Sequence, residues 1–124
     1  MRQTQPFDPI QPGEVDDFMF DITRRVGSAY ILETEWTCAL TPYSGGSDAN
    51  SQSRIISTTF SNKGVQYRAE DGSLQLKSGF FAIAQVGRMP PSANGGTYLL
   101  AHQTFLSDGR IIQDWATVQC QLPG

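Results

Sequence analysis

The residues that could do covalent chemistry in this 124-residue sequence begin with its single histidine, His102. Attack by an activated hydroxyl needs a base beside the nucleophile and a third group that orients the base. Asp114 could orient His102, because both residues belong to one hairpin at 97–120. In the register expected for that hairpin, however, their side chains point to opposite faces. The sequence therefore predicts a half-buried packing role for His102 beside Trp115, and no enzyme.

Metal and cofactor chemistry has equally few candidate residues. The acidic pairs Asp16, Asp17 and Glu70, Asp71 could in principle form a carboxylate dyad or hold calcium. Adjacent residues on a strand point to opposite faces, and Asp71 is needed by a turn, so solvated surface charge is the better interpretation. We therefore predict no metal site and no cofactor.

The two cysteines, Cys38 and Cys120, lie far apart in the sequence without a short-spaced partner. They are too few for a disulfide framework, and their spacing is wrong for a zinc site. Unpaired cysteine behaves as a small hydrophobic residue. We expect both thiols to be buried, reduced and not bonded to each other.

The hairpin at residues 97–120 has to position His102 and Asp114. Asp108 and Gly109 between two β-rich runs predict a two-residue type I′ turn. That turn gives a core face on which Leu99 is opposite Val118, Ala101 opposite Ala116 and Phe105 opposite Ile112. The other face carries Tyr98, Leu100, His102 and Trp115. A register that differs by one residue would exchange the two faces, so the choice of core face depends on the turn.

Alternating apolar and polar residues predict further strands at 14–23, 30–40, 54–60 and 80–86. A small hairpin at 65–78 turns at Asp71 and Gly72, with one face formed by Val65, Tyr67, Ala69, Leu74 and Leu76. Segments 41–53 and 87–96 are rich in Gly, Ser, Asn and Pro, which predicts mobile loops. The expected core comprises Phe18, Phe20, Ile22, Leu32, Trp36, Leu40, Phe105, Ile112 and Val118. Seven to eight short strands without helical periodicity predict an all-β antiparallel sandwich.

Residues 1–13 form an extended N-terminal arm, and residues 14–124 form the sandwich domain. Pro6, Pro9 and Pro12 each remove a backbone donor, so the arm cannot keep a regular ladder. Phe7 and Ile10 are apolar anchors that need a surface to cover them. We expect the arm to cross onto an adjacent protein, and its deletion to leave the isolated domain folded.

Charge and hydropathy exclude several classes of partner. There are 9 Lys and Arg against 12 Asp and Glu, for a formal net charge of -3, so a nucleic-acid partner is not expected. No apolar run approaches the roughly 20 residues of a membrane helix, and the N-terminus lacks the apolar centre of a signal peptide. We therefore expect no membrane association, and a chain that stays in the cytoplasm unless a larger particle carries it.

Three segments resemble a known family, the small virion proteins of tailed bacteriophages with an immunoglobulin-like sandwich, described as fibre-tail adaptors. They are FDPIQPGEVDDFMFDIT at residues 7–23, ETEWTCAL at 33–40 and GGTYLLAHQTFLSDGRIIQDWATVQCQLPG at 95–124. In that family the last segment closes the sandwich through a hairpin of this type and ends in a short tail that contains proline. The segment at 61–79 is longer than the family leads us to expect.

The resemblance implies a non-enzymatic structural subunit, assembled in the host cytoplasm into a virion in many copies, that connects fibres or other proteins to the tail or neck. Its partners would be tail, neck or fibre subunits. A capsid decoration protein bound to the major capsid protein is the alternative within this class. The residues that we expect to contact a partner are Phe7, Ile10, Tyr43, Tyr98, Leu100, His102 and Trp115. A carbohydrate-binding sandwich, with Tyr43, Trp36 or Trp115 as a stacking platform, is the alternative from another class.

Overall fold

The computed structural model describes residues 2–3, 6–42 and 44–122, with the backbone alone for Arg2, Gln3 and Tyr67. These residues contain nine strands and one short helix. The strands are β1 (Arg2–Gln3), β2 (Val15–Asp21), β3 (Ile31–Leu40), β4 (Ile55–Ser61), β5 (Gly64–Arg68), β6 (Leu74–Ser78), β7 (Phe81–Gly87), β8 (Thr97–Leu106) and β9 (Ile111–Gln119). The helix is α1 (Thr23–Val26), and 3₁₀ turns lie at Ser51–Arg54 and Pro91–Ala93.

The strands form two larger sheets and one separate ribbon. The first sheet has the order β1-β9-β8-β3, the second has the order β2-β7-β4, and β5 pairs with β6 alone. All neighbouring strands run antiparallel except β1, which lies parallel to β9. Apolar side chains of both larger sheets meet in one core, where the rings of Phe20 and Trp36 lie 5.4 Å apart. The predicted all-β antiparallel sandwich is confirmed.

Strand β3 shows why most, but not all, of the predicted core is correct. Trp36 and Cys38 are buried as the alternation predicts, whereas Leu32 is 55% exposed and its neighbour Ile31 is buried. The pairing of β3 with β8 shifts between Ile31 and Glu33, which marks a β-bulge. An extra residue at a bulge reverses the alternation of faces from that point. The prediction that Leu32 belongs to the core was therefore wrong, and Ile31 takes that place.

The turn of the β8–β9 hairpin contains three residues, not two. The N–H of Gly109 donates to the carbonyl of Leu106 at 3.0 Å, and the N–H of Leu106 donates to the carbonyl of Arg110 at 2.9 Å. Gly109 has a φ of 89°, but Asp108 does not have the positive φ that a type I′ turn requires. A three-residue loop with glycine in the left-handed region is the next common hairpin connection. Both the expected turn type and the register derived from it were wrong.

The longer turn moves β8 by one residue against β9. Tyr98 now lies opposite Val118, and His102 lies opposite Asp114. The side chains of β8 that face the core are therefore Tyr98, Leu100, His102, Thr104 and Leu106, all of which are buried. Leu99 and Phe105 lie on the outer face, half-buried. For β9 the predicted core face is correct, since Ile112, Ala116 and Val118 are buried.

The ribbon formed by β5 and β6 closes with the same kind of turn. The N–H of Ala69 donates to the carbonyl of Ser73, and Gly72 has a φ of 85°. Leu74 lies opposite Arg68, and Leu76 lies opposite Gln66. The two leucines are thus on the face opposite to Val65, which corrects the predicted face composition.

The N-terminal arm closes one side of the sandwich instead of leaving it. The N–H of Phe7 donates to the carbonyl of Thr117 at 2.9 Å, and the N–H of Ile10 donates to the carbonyl of Gln119 at 2.9 Å. The Phe7 ring packs edge-on against Phe18 at 4.9 Å, and Ile10 is buried. Phe7 follows Pro6 and Ile10 follows Pro9, and both donate their N–H groups to β9. The arm therefore forms an irregular ladder with β9 in spite of its prolines. The anchors Phe7 and Ile10 therefore pack on the sandwich of this chain, and not on a neighbouring protein as expected.

Side-chain amides close the opposite side, where β4 lies beside the outer edge of β3. Gln52 accepts from the N–H of Cys38 at 3.0 Å and donates to the carbonyl of Trp36 at 3.2 Å. Asn62, at the other end of β4, accepts from the N–H of Ile31 at 2.7 Å and donates to its carbonyl at 3.1 Å. These amides take the place of a neighbouring strand, because they satisfy backbone groups that would otherwise be left unpaired.

Candidate functional site

The residues expected to contact a partner lie mostly in the interior. Ile10, Tyr98, Leu100 and His102 are at most 1% exposed. Because the longer turn exchanges the faces of β8, the three hairpin residues of this set point into the core. The structure thus contradicts the prediction that these four side chains form a docking surface.

The remaining three predicted contact residues have different outcomes. Phe7 is half-buried against the core, and Trp115 is half-buried on the outer face of the first sheet. Tyr43 lies outside the described residues. Of the proposed stacking platforms, Trp36 is enclosed between the sheets.

The same register brings His102 into contact with Asp114, the pair that sequence reasoning had separated. The Nε2 atom of His102 lies 2.8 Å from Oδ2 of Asp114, and its Nδ1 atom lies 2.8 Å from the hydroxyl of Thr104. That hydroxyl lies 2.9 Å from the hydroxyl of Thr34. A carboxylate can only accept, so we assign the proton of a neutral ring to Nε2 and let Thr104 donate to Nδ1. His102, Asp114 and Thr104 then each have a hydrogen-bond partner.

Arg25 completes the buried network from the helix α1. Its guanidinium donates to both oxygens of Asp114, with 2.9 Å between Nη1 and Oδ1. Arg110, next to the hairpin turn, donates to the carbonyls of Arg25 and Val26, each at 2.7 Å, and so holds the end of the helix. Burial raises the pKa of Asp114, but the bonds from His102 and Arg25 outweigh it and lower that pKa to about 2.

A hydroxyl, an imidazole and a carboxylate in a row would suit nucleophilic catalysis if a substrate could reach them. Here Thr104, His102 and Asp114 are each at most 1% exposed. The His102 ring lies 4.7 Å from the ring of Phe20 and 5.7 Å from that of Trp36, so it packs among the aromatic rings of the core. A fully satisfied buried network of this kind stabilises a specific packing of the core. The sequence signal for it was the polar pair His102 and Thr104 on one face of β8, but only the register with the three-residue turn places Asp114 opposite His102.

A second buried cluster anchors the segment 41–53. The hydroxyl of Tyr98 donates to Oδ2 of Asp48 at 2.6 Å, and Arg54 donates from Nε and Nη2 to both oxygens, each at 2.8 Å. The bonds from Arg54 hold the pKa of Asp48 far below its usual value despite burial, and burial beside that carboxylate raises the pKa of Tyr98. Segment 41–53 is thus fastened to the first sheet.

The two loops predicted to be mobile also contact each other. The N–H of Ser47 donates to the carbonyl of Ser92 at 2.8 Å, and Arg54 donates to the carbonyl of Arg88 at 2.8 Å. Gly95 in turn donates to the carbonyl of Cys120. These bonds join the two loop regions to each other and to Cys120 within this chain.

Neither a metal-binding cluster nor a membrane-spanning helix occurs within the described residues. No group of three or more His, Cys, Asp or Glu side chains there could hold a metal ion. No helix in the same part of the chain is long and apolar enough to cross a membrane. The acidic residues instead serve local structure, since Asp16 accepts from the N–H of Asp17, and Asp71 accepts from the N–H of Ser73. Cys38 and Cys120 are free and buried, as expected.

The ribbon of β5 and β6 forms a distinct surface feature. A cleft of about 820 Å³ separates it from the outer face of the second sheet, and its apolar lining includes Met19, Val65, Leu76 and Phe81. Lys77 crosses this cleft to Asp21, with 3.4 Å between Nζ and Oδ2. Leu74 and Leu76 are 64% and 65% exposed. Apolar side chains this exposed at alternate positions of one strand point to an interaction surface.

Comparison with known proteins gives little further information. No protein-family model and no curated protein matches this sequence. Among solved structures, the chain is similar to a DUF4466 family protein from Parabacteroides merdae, with 12% identity and a TM-score of 0.42 over 91% of this chain and 41% of that one. The chain thus spans less than half the length of that protein. A likeness at this level carries no argument about function.

Proposed function

We propose that this protein is a non-enzymatic structural subunit of a tailed-bacteriophage virion, which connects fibres or other proteins to the tail or neck. The observation that carries this proposal is the contrast between interior and surface. The one histidine is enclosed in the core with its carboxylate and hydroxyl partners, whereas Leu74 and Leu76 face solvent on a projecting ribbon. A chain built in this way acts through contacts with other proteins.

The three segments that resemble phage adaptors support the assignment to a virion. They supply β2, most of β3 and the hairpin of β8 and β9, which make up most of the first sheet and one of the three strands of the second. The ribbon at 61–79 lies outside these segments, so it is where a partner particular to this chain would bind. An immunoglobulin-like arrangement of the sheets is part of the same proposal.

The proposed partners are tail, neck or fibre subunits, and the proposed location is the assembled particle. Capsid decoration, with the major capsid protein as partner, is the alternative within the same class. Carbohydrate binding has less support, because the Trp36 ring is buried and Trp115 is half-buried. Nothing in the described residues groups exposed aromatic rings around a groove.

The proposal is tested on gradient-purified particles of a phage that encodes this chain. Peptide mass spectrometry should find the chain in the particle fraction at a fixed ratio to the major capsid protein. Cryo-electron microscopy of the same particles should then place its density in the tail or neck. A chain that remains in the soluble fraction of the lysate would refute a virion role, and density over the capsid lattice would favour decoration.

A further inference from the structure

Several strand edges of this fold are covered by side chains or by further backbone. The outer edge of β3 is covered by the amides of Gln52 and Asn62. β9 is covered by β1 and by the backbone of the arm. At the edge of β5, the Ser61 hydroxyl accepts from the N–H of Gly64 at 2.9 Å and donates to its carbonyl at 2.7 Å. Natural proteins cover edges in this way because an open edge invites a further strand.

Strand β6 also forms an edge, and no strand of the described chain lies on its far side. Ser73 bonds Ala69 and Gly79 bonds Lys63 across the ribbon, which fixes the odd-numbered positions as those that face β5. In an antiparallel pair, alternate residues direct their N–H and C=O groups towards the partner, and the residues between them direct theirs away. Leu74, Leu76 and Ser78 therefore direct their backbone groups to the open edge.

This edge is complementary to itself. Leu76 is the middle residue of β6 and is also one of the three whose backbone faces outward. A two-fold axis at Leu76 puts Leu76 opposite Leu76 of a second copy, and Leu74 opposite Ser78. All three outward positions then find hydrogen-bonding partners in one register. The exposed leucines of both copies fall on one face of the resulting four-stranded sheet, where cross-strand apolar pairs add stability.

The charges of the ribbon agree with the same arrangement. Glu70 and Asp71 lie exposed at the tip together with Arg68, whereas Lys63 and Lys77 lie at the base together with Asp21, so the tip keeps a net negative charge and the base a net positive charge. Antiparallel pairing of two ribbons brings the acidic tip of each copy beside the basic base of the other. Parallel pairing of the two ribbons would instead place tip beside tip and base beside base, so that like charges repel.

We propose that β6 pairs with β6 of a second copy of this chain, antiparallel and centred on Leu76, to form a symmetric dimer. An isolated two-stranded ribbon is at best marginally stable in water, whereas four strands with an apolar face are stable. Two-fold dimers are also the commonest oligomers of soluble proteins. This self-association goes beyond the proposed virion role and does not depend on it.

A cysteine pair tests the register directly. In Leu76→Cys the two introduced thiols lie opposite each other, at a separation that a disulfide can span. In Leu74→Cys, the matched control on the same strand, they lie about 13 Å apart, which is too far. Mild oxidation should link the first variant and leave the second at least about tenfold less linked, since both native thiols are buried. No dimer from Leu76→Cys, or equal linking of both variants, would overturn the proposal.

Sedimentation of the native full chain tests the association without a cross-link. The native protein should shift from monomer to dimer as its concentration rises. Leu76→Pro removes only an outward N–H, because proline is tolerated on the free edge of a strand. It should weaken the dimer at least about tenfold, since one outward donor is lost and the ring blocks the edge.

Two further variants keep this test decisive. Leu76→Lys, which places two ammonium groups opposite each other, should weaken the dimer in the same way if Leu76→Pro fails to fold. Leu122→Lys changes a leucine that is also exposed but lies far from β6 in sequence, and it should dimerise like the native chain. A native chain that stays monomeric at every concentration refutes the proposal, as does undiminished dimerisation of both Leu76 variants.

Discussion

Replacing Asp114 by Ala is the most informative perturbation of the core. Asp114 is fully buried and bonds His102 and Arg25, which come from β8 and from α1. The substitution leaves one guanidinium and one imidazole N–H without their acceptor. Removal of one partner from a buried ion pair is strongly destabilising because the other charge stays desolvated.

The expected magnitude follows from the exposure of the two groups left behind. Breaking a buried pair costs about 3 to 5 kcal/mol. The side chain of Arg25 is 29% exposed, so water can hydrate part of its charge, whereas His102 has no such access. We therefore expect Asp114→Ala to lower the free energy of unfolding by about 3 kcal/mol, at the lower end of that range.

The pH dependence provides an independent check on the same carboxylate. Its pKa is about 2 in the folded protein, below the ordinary value of 3.8. A depressed folded pKa gives stability that is present above the ordinary pKa and is lost as the pH falls through the folded value. Each pKa unit is worth about 1.4 kcal/mol, so roughly 2 kcal/mol should disappear between about pH 4 and pH 2.

Urea unfolding of the native chain and of Asp114→Ala, followed from neutral pH to about pH 2, measures both effects. The gap between the two curves should be largest near neutral pH and should shrink as the acid range is entered. Asp17→Ala is the matched control, because Asp17 is an exposed strand carboxylate. A loss at neutral pH no larger than that of the control, or a gap that does not change in acid, would refute the reasoning.

Three more outcomes follow from burial. Trp36→Ala should lower the free energy of unfolding by about 3 to 5 kcal/mol, because its ring is enclosed between the sheets; a loss below about 1 kcal/mol in urea would contradict that enclosure. Ile10→Ala should lower the free energy of unfolding of the isolated chain by about 2 to 5 kcal/mol. An unchanged melting temperature would support the original hypothesis that the arm docks on another protein. Thiol reagents should not label the native chain at mildly alkaline pH, because burial raises the pKa of both thiols, that of Cys38 to about 12; rapid labelling before unfolding would show that the thiols are accessible.

The class of the fold was predictable from local pattern. Alternation with a period of two placed Phe18, Phe20 and Trp36 inside, and the Asp-Gly pairs located both hairpin turns. Each of these signals depends on a few neighbouring residues. It therefore does not change with the contacts that distant parts of the chain make. The bulge in β3 left no such local signal, and the alternation therefore failed at Leu32.

The register of the hairpins was not predictable, because the same Asp-Gly pair fits a two-residue loop and a three-residue loop. The two loops differ by one residue, and one residue exchanges the faces of a strand. In the folded chain Asp114 lies beside Arg25, which is 89 positions away, and opposite His102. That long-range pairing satisfies buried groups only in the three-residue register.

The N-terminal arm shows the same division between local and long-range information. The prolines indicated that residues 6–13 would be extended. The apolar side chains of Phe7 and Ile10 indicated that this segment would need a surface to cover them. Which surface they cover was decided by the rest of the fold, where the carbonyls of β9 and the ring of Phe18 lie within reach. Sequence thus determined turns, alternation and the need for burial, whereas only the tertiary structure decided which groups meet, because those contacts join residues far apart in the chain.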